Sequence, residues 1–116
     1  MNNLYFNLPV ITGKSNSTII RLGKLQNKKY RNDEKLFICD GIKLFKEAVK
    51  FKANIKYIVI DNEAELDRET LDLLKECMKK TTVICVDSAN FKKLTTENAP
   101  QGIVTVCEYL YDIHSY

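Results

Sequence analysis

The sequence predicts an α/β protein, a three-layer α/β/α sandwich with about four core strands and a basic helix near its N-terminus. Three observations carry that prediction. Four short β-branched apolar runs recur along the chain: Leu36–Cys39, Ile55–Ile60, Val83–Val86 and Ile103–Cys107. Each is almost unbroken in apolar character, which suits a strand covered on both faces rather than one. Segments of helical apolar spacing fill the gaps between them, and strand–helix alternation packs into layers around a largely parallel sheet.

Taken in order, residues 1–14 read as an extended lead-in that ends in a turn at Thr12-Gly13. A helix is predicted from Ser15–Ser17, whose polar side chains can satisfy free backbone N–H groups, to about Arg31. Ile19, Leu22 and Leu25 give it an apolar face, while Arg21, Lys24, Lys28 and Arg31, separated by 3, 4 and 3 residues, give it a basic stripe. Ile42, Phe45, Ala48 and Val49 form the apolar face of the helix after the first run, and Leu71, Leu74, Cys77 and Met78 that of the helix after the second. Asp87 is placed to cap a short helix through Phe91 and Leu94. Pro100 and Gly102 bracket a turn into the last strand.

Composition removes several alternatives. The chain has 116 residues, 45% hydrophobic and 28% charged, with 4 Gly and 2 Pro, so it is neither disordered nor a low-complexity polymer. A domain of this size buries roughly two-thirds of its unfolded surface and needs no metal or disulfide to fold. Cys39, Cys77, Cys85 and Cys107 include no Cys-x-x-Cys pair, and His114 is the only histidine, so no zinc pattern is present. Reduced core thiols in a cytoplasmic protein are the expectation. No signal peptide or membrane span is expected.

Charge is uneven. Residues 1–35 hold seven basic residues (Lys14, Arg21, Lys24, Lys28, Lys29, Arg31, Lys35) against Asp33 and Glu34, a net of +5, while the remainder nets −2. A positive arm on a mildly acidic body points to a polyanion such as nucleic acid, or else to a solvated basic helix face.

Among chemical motifs, Gly13-Lys14-Ser15 has the end of a phosphate loop, but Leu8 stands where that loop needs its first glycine. Asp61, Glu63, Glu65, Asp67 and Glu69 precede a helix, where carboxylates favour the positive end of its dipole. Three features remain. The first is the basic stripe with Lys14 before it and Lys29 and Tyr30 at its far end, since lysine and arginine neutralise phosphates and tyrosine stacks on unpaired bases. The second is Asp40-Gly41 at a strand-to-helix junction with Lys43 and Lys46 beyond it, either an anion site or a plain tight turn. The third is Asn98-Ala99-Pro100-Gln101-Gly102, in which Asn98 and Gln101 can read a base edge or hold their own loop together.

In order and spacing these segments resemble the N-terminal substrate-binding domain of the SpoU/TrmH-type RNA ribose 2′-O-methyltransferases. Ile11-Thr12-Gly13-Lys14-Ser15-Asn16 resembles the family's opening, and the basic helix ends in Lys29-Tyr30-Arg31. Leu36-Phe37-Ile38-Cys39-Asp40-Gly41 resembles its first strand and glycine, and Asn98–Val104 its Pro-Gln-Gly turn. Asp40 stands where the family usually has Glu, and Thr105 where a small Ala is common.

The resemblance implies the fold of kink-turn-binding ribosomal proteins and an RNA-holding role. The expected partner is ribosomal or transfer RNA, bound through Lys14, Arg21, Lys24, Lys28, Lys29, Tyr30, Arg31, Gly41, Lys43, Lys46, Asn98 and Gln101. Methyl transfer from S-adenosylmethionine, and homodimer formation, are expected of a knotted catalytic domain outside this chain, so no catalytic, cofactor or metal residue is assigned within it. The expected organisation is an N-terminal extension over residues 1–10, the RNA-binding domain over 11–107 and the start of a linker over 108–116. The alternative is a stand-alone kink-turn-type RNA-binding or ribosome-associated protein.

Overall fold

The computed structural model describes residues 8–109; His114, most of the expected N-terminal extension and most of the expected linker lie outside the described residues. The element order is β1 (Val10–Ile11), α1 (Ser17–Gly23), a 3-10 turn (Lys24–Gln26), α2 (Lys28–Glu34), β2 (Leu36–Asp40), α3 (Ile42–Lys50), β3 (Ile55–Asp61), α4 (Arg68–Cys77), β4 (Thr82–Val86), α5 (Ser88–Phe91) and β5 (Ile103–Glu108).

The four predicted strands form, and the short β1 joins them in a five-stranded sheet ordered β1-β4-β3-β5-β2. The sheet is less parallel than expected. β1, β4 and β3 pair in parallel, but β5 runs antiparallel to both β3 and β2. Four strands therefore point one way and β5 the other. The physical reason is the connection into β5: the chain turns at Pro100–Gly102 on the side where β2 and β3 end, so β5 enters the sheet in the reverse sense.

Both faces are covered, which makes the three layers. On one face Val59, Val86, Val104 and Val106 pack under Ile19, Leu22 and Leu25 of the N-terminal segment and Phe91 and Leu94 around α5. On the other, Ile58, Ile60 and Ile103 pack under Phe45 of α3 and Leu74 of α4. Leu22, Phe45 and Phe91 are fully enclosed, and burying such a side chain stabilises the fold by about 1.5–3 kcal/mol. The register of β3 against β5 shifts between Ile55 and Tyr57. That bulge leaves Lys56 exposed and lets Ile55 pack with the second cluster. Across β2 and β5 a hydrogen bond between thiols holds Cys39 below its usual range and, with burial, pushes Cys107 up.

The single basic helix expected to Arg31 is instead two helices. Asn16 caps α1, its side chain accepting from the Ile19 N–H at 3.1 Å. After Gly23 the chain tightens into the 3-10 turn, and Asn27 adopts an extended conformation and caps α2 by accepting from the Lys29 N–H at 2.9 Å. Asparagine favours a cap over a helix interior because its short side chain competes for nearby backbone N–H groups. Gly23 sits where a Cβ would lie 3.3 Å from the Lys93 carbonyl, so the helix end packs tightly on the segment after α5.

Candidate functional site

The break at Asn27 divides the basic stripe. Lys14 lies in the loop before α1, Arg21 on α1, Lys24 in the 3-10 turn, and Lys28, Lys29, Tyr30 and Arg31 on α2. These residues also differ in what they do. Arg21 pairs with Glu34 at 3.3 Å. Arg31 turns inward, its Nη1 donating to the Leu25 carbonyl at 2.9 Å and the Gln26 carbonyl at 3.0 Å. It thereby satisfies two carbonyls that the broken helix leaves without helical partners. The Lys24 ammonium lies 5.4 Å from the centre of the Tyr30 ring, within cation–π range. Lys28 and Lys29 are exposed with no ion-pair partner among the described residues. Lys14 is exposed, and its own carbonyl accepts from Lys93 Nζ at 3.4 Å.

The second and third sequence features meet. Gly41 and Gln101, far apart in the chain, touch at the end of the sheet where β2 stops and β5 starts. Gln101 Oε1 accepts from the Ile42 N–H at 2.8 Å and so caps α3, whose N-cap residue Gly41 has no side chain to do so. The Gly41 N–H donates to the Ile103 carbonyl at 3.0 Å. Gly41 has φ +100°, and a Cβ there would lie 2.8 Å from Gln101 Oε1. Gly102, at φ +88°, would place a Cβ 2.3 Å from that of Ala64. Both glycines are thus favoured by backbone conformation; at Gly102 close approach to Ala64 adds to this, while a Cβ at Gly41 would displace the Gln101 amide.

Around this clasp the surface is positive on one side. A shallow cleft of about 450 Å³ is lined by Lys43, Lys46, Lys50 and Gln101 with Ile42 and Glu47. Lys46 donates to Glu69 at 2.7 Å, and that hydrogen bond holds its ammonium above the usual lysine range. Lys43 has no ion-pair partner among the described residues, and Asn98 is exposed with no hydrogen-bond partner among them. On the other side of Gln101 a second cleft is lined by Asp61, Glu63 and Glu65, so the positive surface has a sharp acidic border. The acidic run serves turns and caps: the Asp61 carboxylate accepts from the Glu63 N–H and the Ser88 hydroxyl, and Asp67 accepts from the Thr70 N–H at 2.9 Å. Among the described residues no group of three His, Cys, Asp or Glu side chains gathers to hold a metal.

Sequence reasoning missed Lys50, Gln26 and the partners of Asp40. Lys50 enters the Gln101 cleft because it lies two helical turns beyond Lys43, a periodicity that the sequence does carry. Asp40 Oδ2 accepts from the Thr95 hydroxyl at 2.6 Å and the Thr96 N–H at 3.3 Å, which clips the loop before β5 to the end of β2. Gln26 Nε2 donates to the Thr95 carbonyl at 3.3 Å and ties the same loop to the 3-10 turn. Neither long-range clip has a local sequence signal.

The family profile described as the MRM3-like substrate binding domain matches residues 16–105. Comparison with curated proteins gives no match. Among solved structures, an AdoMet-bound rRNA methyltransferase from Sinorhizobium meliloti is similar with TM-score 0.72 and 21% identity, over 90% of this chain and 38% of that one. The SpoU methyltransferase AviRb from Streptomyces viridochromogenes, in complex with AdoMet, is similar with TM-score 0.72 and 23% identity, over 84% of this chain and 37% of that one. An RNA 2′-O ribose methyltransferase gives TM-score 0.68 and 21% identity, over 86% and 37%. At these identities the likeness establishes the shared fold, and the chain spans well under half the length of these neighbours.

Proposed function

The chain belongs to the MRM3-like substrate binding domain family, and from that premise we propose that it holds ribosomal or transfer RNA for ribose 2′-O-methylation by a separate knotted catalytic domain. The single observation that carries the reading is the clasp at Gly41, Ile42 and Gln101 with Lys43 and Lys50 beside it. It fixes a backbone turn and a helix start against a surface of lysines, where phosphates are neutralised while an ordered turn sets the register of the strand. Lys14, Lys24, Lys28 and Lys29, with Tyr30, give the N-terminal segment a second basic surface, carried by elements packed on the sheet face opposite α3. In this reading residues 11–107 are the RNA-binding unit, residues 108–116 begin a linker, the full enzyme is a homodimer through its catalytic domain, and it works in the cytoplasm. No helix among the described residues is long and apolar enough to cross a membrane.

S-adenosylmethionine belongs to the proposed catalytic domain, where it would supply the methyl group. The residues present here do not fit it. The two glycines at positive φ are occupied from within, Gly41 by the Gln101 amide and Gly102 by Ala64, so neither offers the open backbone that a nucleotide cofactor needs. No methyl-transfer step is therefore derived from this chain.

The test is binding of ribosomal and transfer RNA fragments, followed by fluorescence anisotropy across a salt series. Changing Lys43 and Lys50 together to Gln should weaken binding on every RNA. It should also lower the magnitude of the log–log salt slope by roughly 0.7 for each phosphate of a single-stranded RNA that is no longer neutralised. Unchanged binding by this variant would remove the Gln101 cleft from the interface. Tight binding to an isolated kink-turn RNA would favour the stand-alone kink-turn reading.

A further inference from the structure

The end of the sheet opposite the Gly41–Gln101 clasp carries lysines that neither basic surface described above includes. β2, β3 and β4 begin there and β5 ends there. Lys35 precedes β2, Lys56 stands at the start of β3, and Lys79 and Lys80 lie just before β4. The pairings set these segments in one row. The Lys35 carbonyl accepts from the Tyr109 N–H past the end of β5, the Glu108 N–H donates to the Asn54 carbonyl before β3, and Tyr57 stands beside Thr82 at the start of β4. Neighbouring strands lie about 4.8 Å apart, so the row from β2 to β4 is about 15 Å long. α3 ends at the same end of the sheet, with Lys50, Phe51 and Lys52.

Backbone conformation singles out two of these lysines. Among the described residues the non-glycine residues at positive φ are Lys35, at 60°, and Lys52, at 57°. Each closes a helix. The Lys35 N–H donates to the Arg31 carbonyl at the end of α2. Lys52 and Ala53 donate to the Val49 and Ala48 carbonyls at 3.1 and 2.9 Å, the paired bonds that usually close a helix on glycine. The helix dipole favours a cation at these places, but a lysine in this conformation carries a steric cost that glycine escapes. That cost, accepted twice at one end of the sheet by exposed residues, points to a use for the side chains. The bulge between Ile55 and Tyr57 likewise leaves Lys56 exposed. Lys35, Lys52, Lys56 and Lys80 have no ion-pair partner among the described residues. Of the carboxylates at this end, Asp33, Glu76 and Glu108, the last two are engaged by Lys79 and by the Asn54 amide. Phe51 is 71% exposed, with the Lys50 ammonium 5.5 Å from its ring centre.

We propose that this end of the sheet is a further RNA contact, where Lys35, Lys52, Lys56 and Lys80 take the phosphates of one strand and Phe51 stacks on an unpaired base. Lysines neutralise phosphates whatever the sequence, and an exposed aromatic ring accepts any base. This end therefore supplies affinity without base choice. The inference rests on the RNA-holding reading above and adds a second point of attachment to it. The length of β3 separates the two ends by roughly 20 Å, so the clasp and the lysine row hold two separate stretches of the same RNA. Attachment at two points fixes the direction of the RNA across the domain, whereas a single contact leaves it free to pivot.

The test is fluorescence anisotropy with ribosomal and transfer RNA fragments across a salt series, with urea unfolding of each variant alongside. Lys35→Gly with Lys52→Gly should hold or raise the urea midpoint, because glycine relieves both positive-φ positions. The same variant should bind RNA more weakly, with the magnitude of the log–log salt slope lowered by roughly 0.7 for each phosphate of a single strand released. Lys56→Gln with Lys80→Gln alters neither helix end and should flatten the slope in the same way. Phe51→Ala should weaken binding roughly fivefold or more and leave the slope in place. Parent-like affinity and slope in both lysine pairs would overturn the proposal, and full affinity in Phe51→Ala would overturn the stacking. If changing Lys43 and Lys50 to Gln weakens binding while these four lysines do not matter, this inference fails and the RNA reading stands. If no fragment binds the parent, the RNA reading fails and this inference fails with it.

Discussion

Gln101 caps a helix that begins 59 residues before it in the chain, its Oε1 accepting from the Ile42 N–H at 2.8 Å. The bond is possible only because Gly41 leaves the space that a Cβ would take from that oxygen. Two motifs that look independent in sequence are thus one device, which joins the end of β2, the start of α3 and the turn into β5.

The energetic consequence is coupling. Gln101→Ala should lower stability by about 1 kcal/mol, the usual worth of a helix cap. Gly41→Ala should cost about 1–3 kcal/mol through its positive φ and the contact with Gln101. The double variant should lose less than the sum, because removing the amide relieves the contact, with a coupling of roughly 0.5 kcal/mol or more. Urea unfolding of all four proteins measures this, and strict additivity would separate the two residues.

Gly102 should be harder to replace. A Cβ there meets Ala64 at 2.3 Å, and φ is +88°. Gly102→Ala should cost about 2 kcal/mol or more from backbone strain alone, with a lower urea midpoint and an unchanged slope. A smaller side chain at position 64 should rescue it: Ala64→Gly in the same chain removes the clashing carbon and should return part of the stability. Absence of any rescue would place the cost wholly in the backbone.

Arg31 and its basic neighbours should separate by assay. Arg31→Gln removes a charged donor from the Leu25 and Gln26 carbonyls and should lower stability by about 1.5–3 kcal/mol. Changing Lys24, Lys28 and Lys29 together to Gln should leave the thermal midpoint nearly unchanged and flatten the salt dependence of RNA binding, by roughly 0.7 for each phosphate these lysines neutralise. A lysine variant that binds as tightly as the parent over the whole salt range would leave that surface merely solvated.

Asp67 should give α4 a pH dependence. Hydrogen bonding at Thr70, whose N–H donates to Asp67 Oδ1 at 2.9 Å, holds that carboxyl below the ordinary value of 3.8. A folded-state value below the unfolded one means that the ionised cap stabilises the fold above that ordinary value. The contribution disappears as pH falls through the lower, folded value. Asp67→Asn keeps a capping oxygen but not the proton linkage. Its acid unfolding curve should therefore be flatter below the ordinary value than the parent's, with similar stability at neutral pH. Identical acid limbs for the two proteins would assign the linkage to other carboxylates.

The strands, the layers and the caps at Asn16, Asp67 and Asp87 are legible in residue order because their causes are local. β-branched apolar runs bury on both faces wherever they lie, and an Asn or Asp before a helical pattern meets its own backbone within three residues. The Asp40-Gly41 and Pro100-Gln101-Gly102 motifs are also visible as motifs. The break of the basic helix at Asn27 is less so, because Lys28–Arg31 continues the helical spacing, although what supports it, the Asn27 cap and the Arg31 bonds to Leu25 and Gln26, is also local. The direction of β5, the clasp of Gln101 on Ile42 and the Asp40–Thr95 clip belong to the folded chain alone. Each depends on bringing together groups more than fifty residues apart, and a hydrogen bond at that separation leaves no periodicity in the sequence, since either partner alone is an ordinary polar residue in a turn.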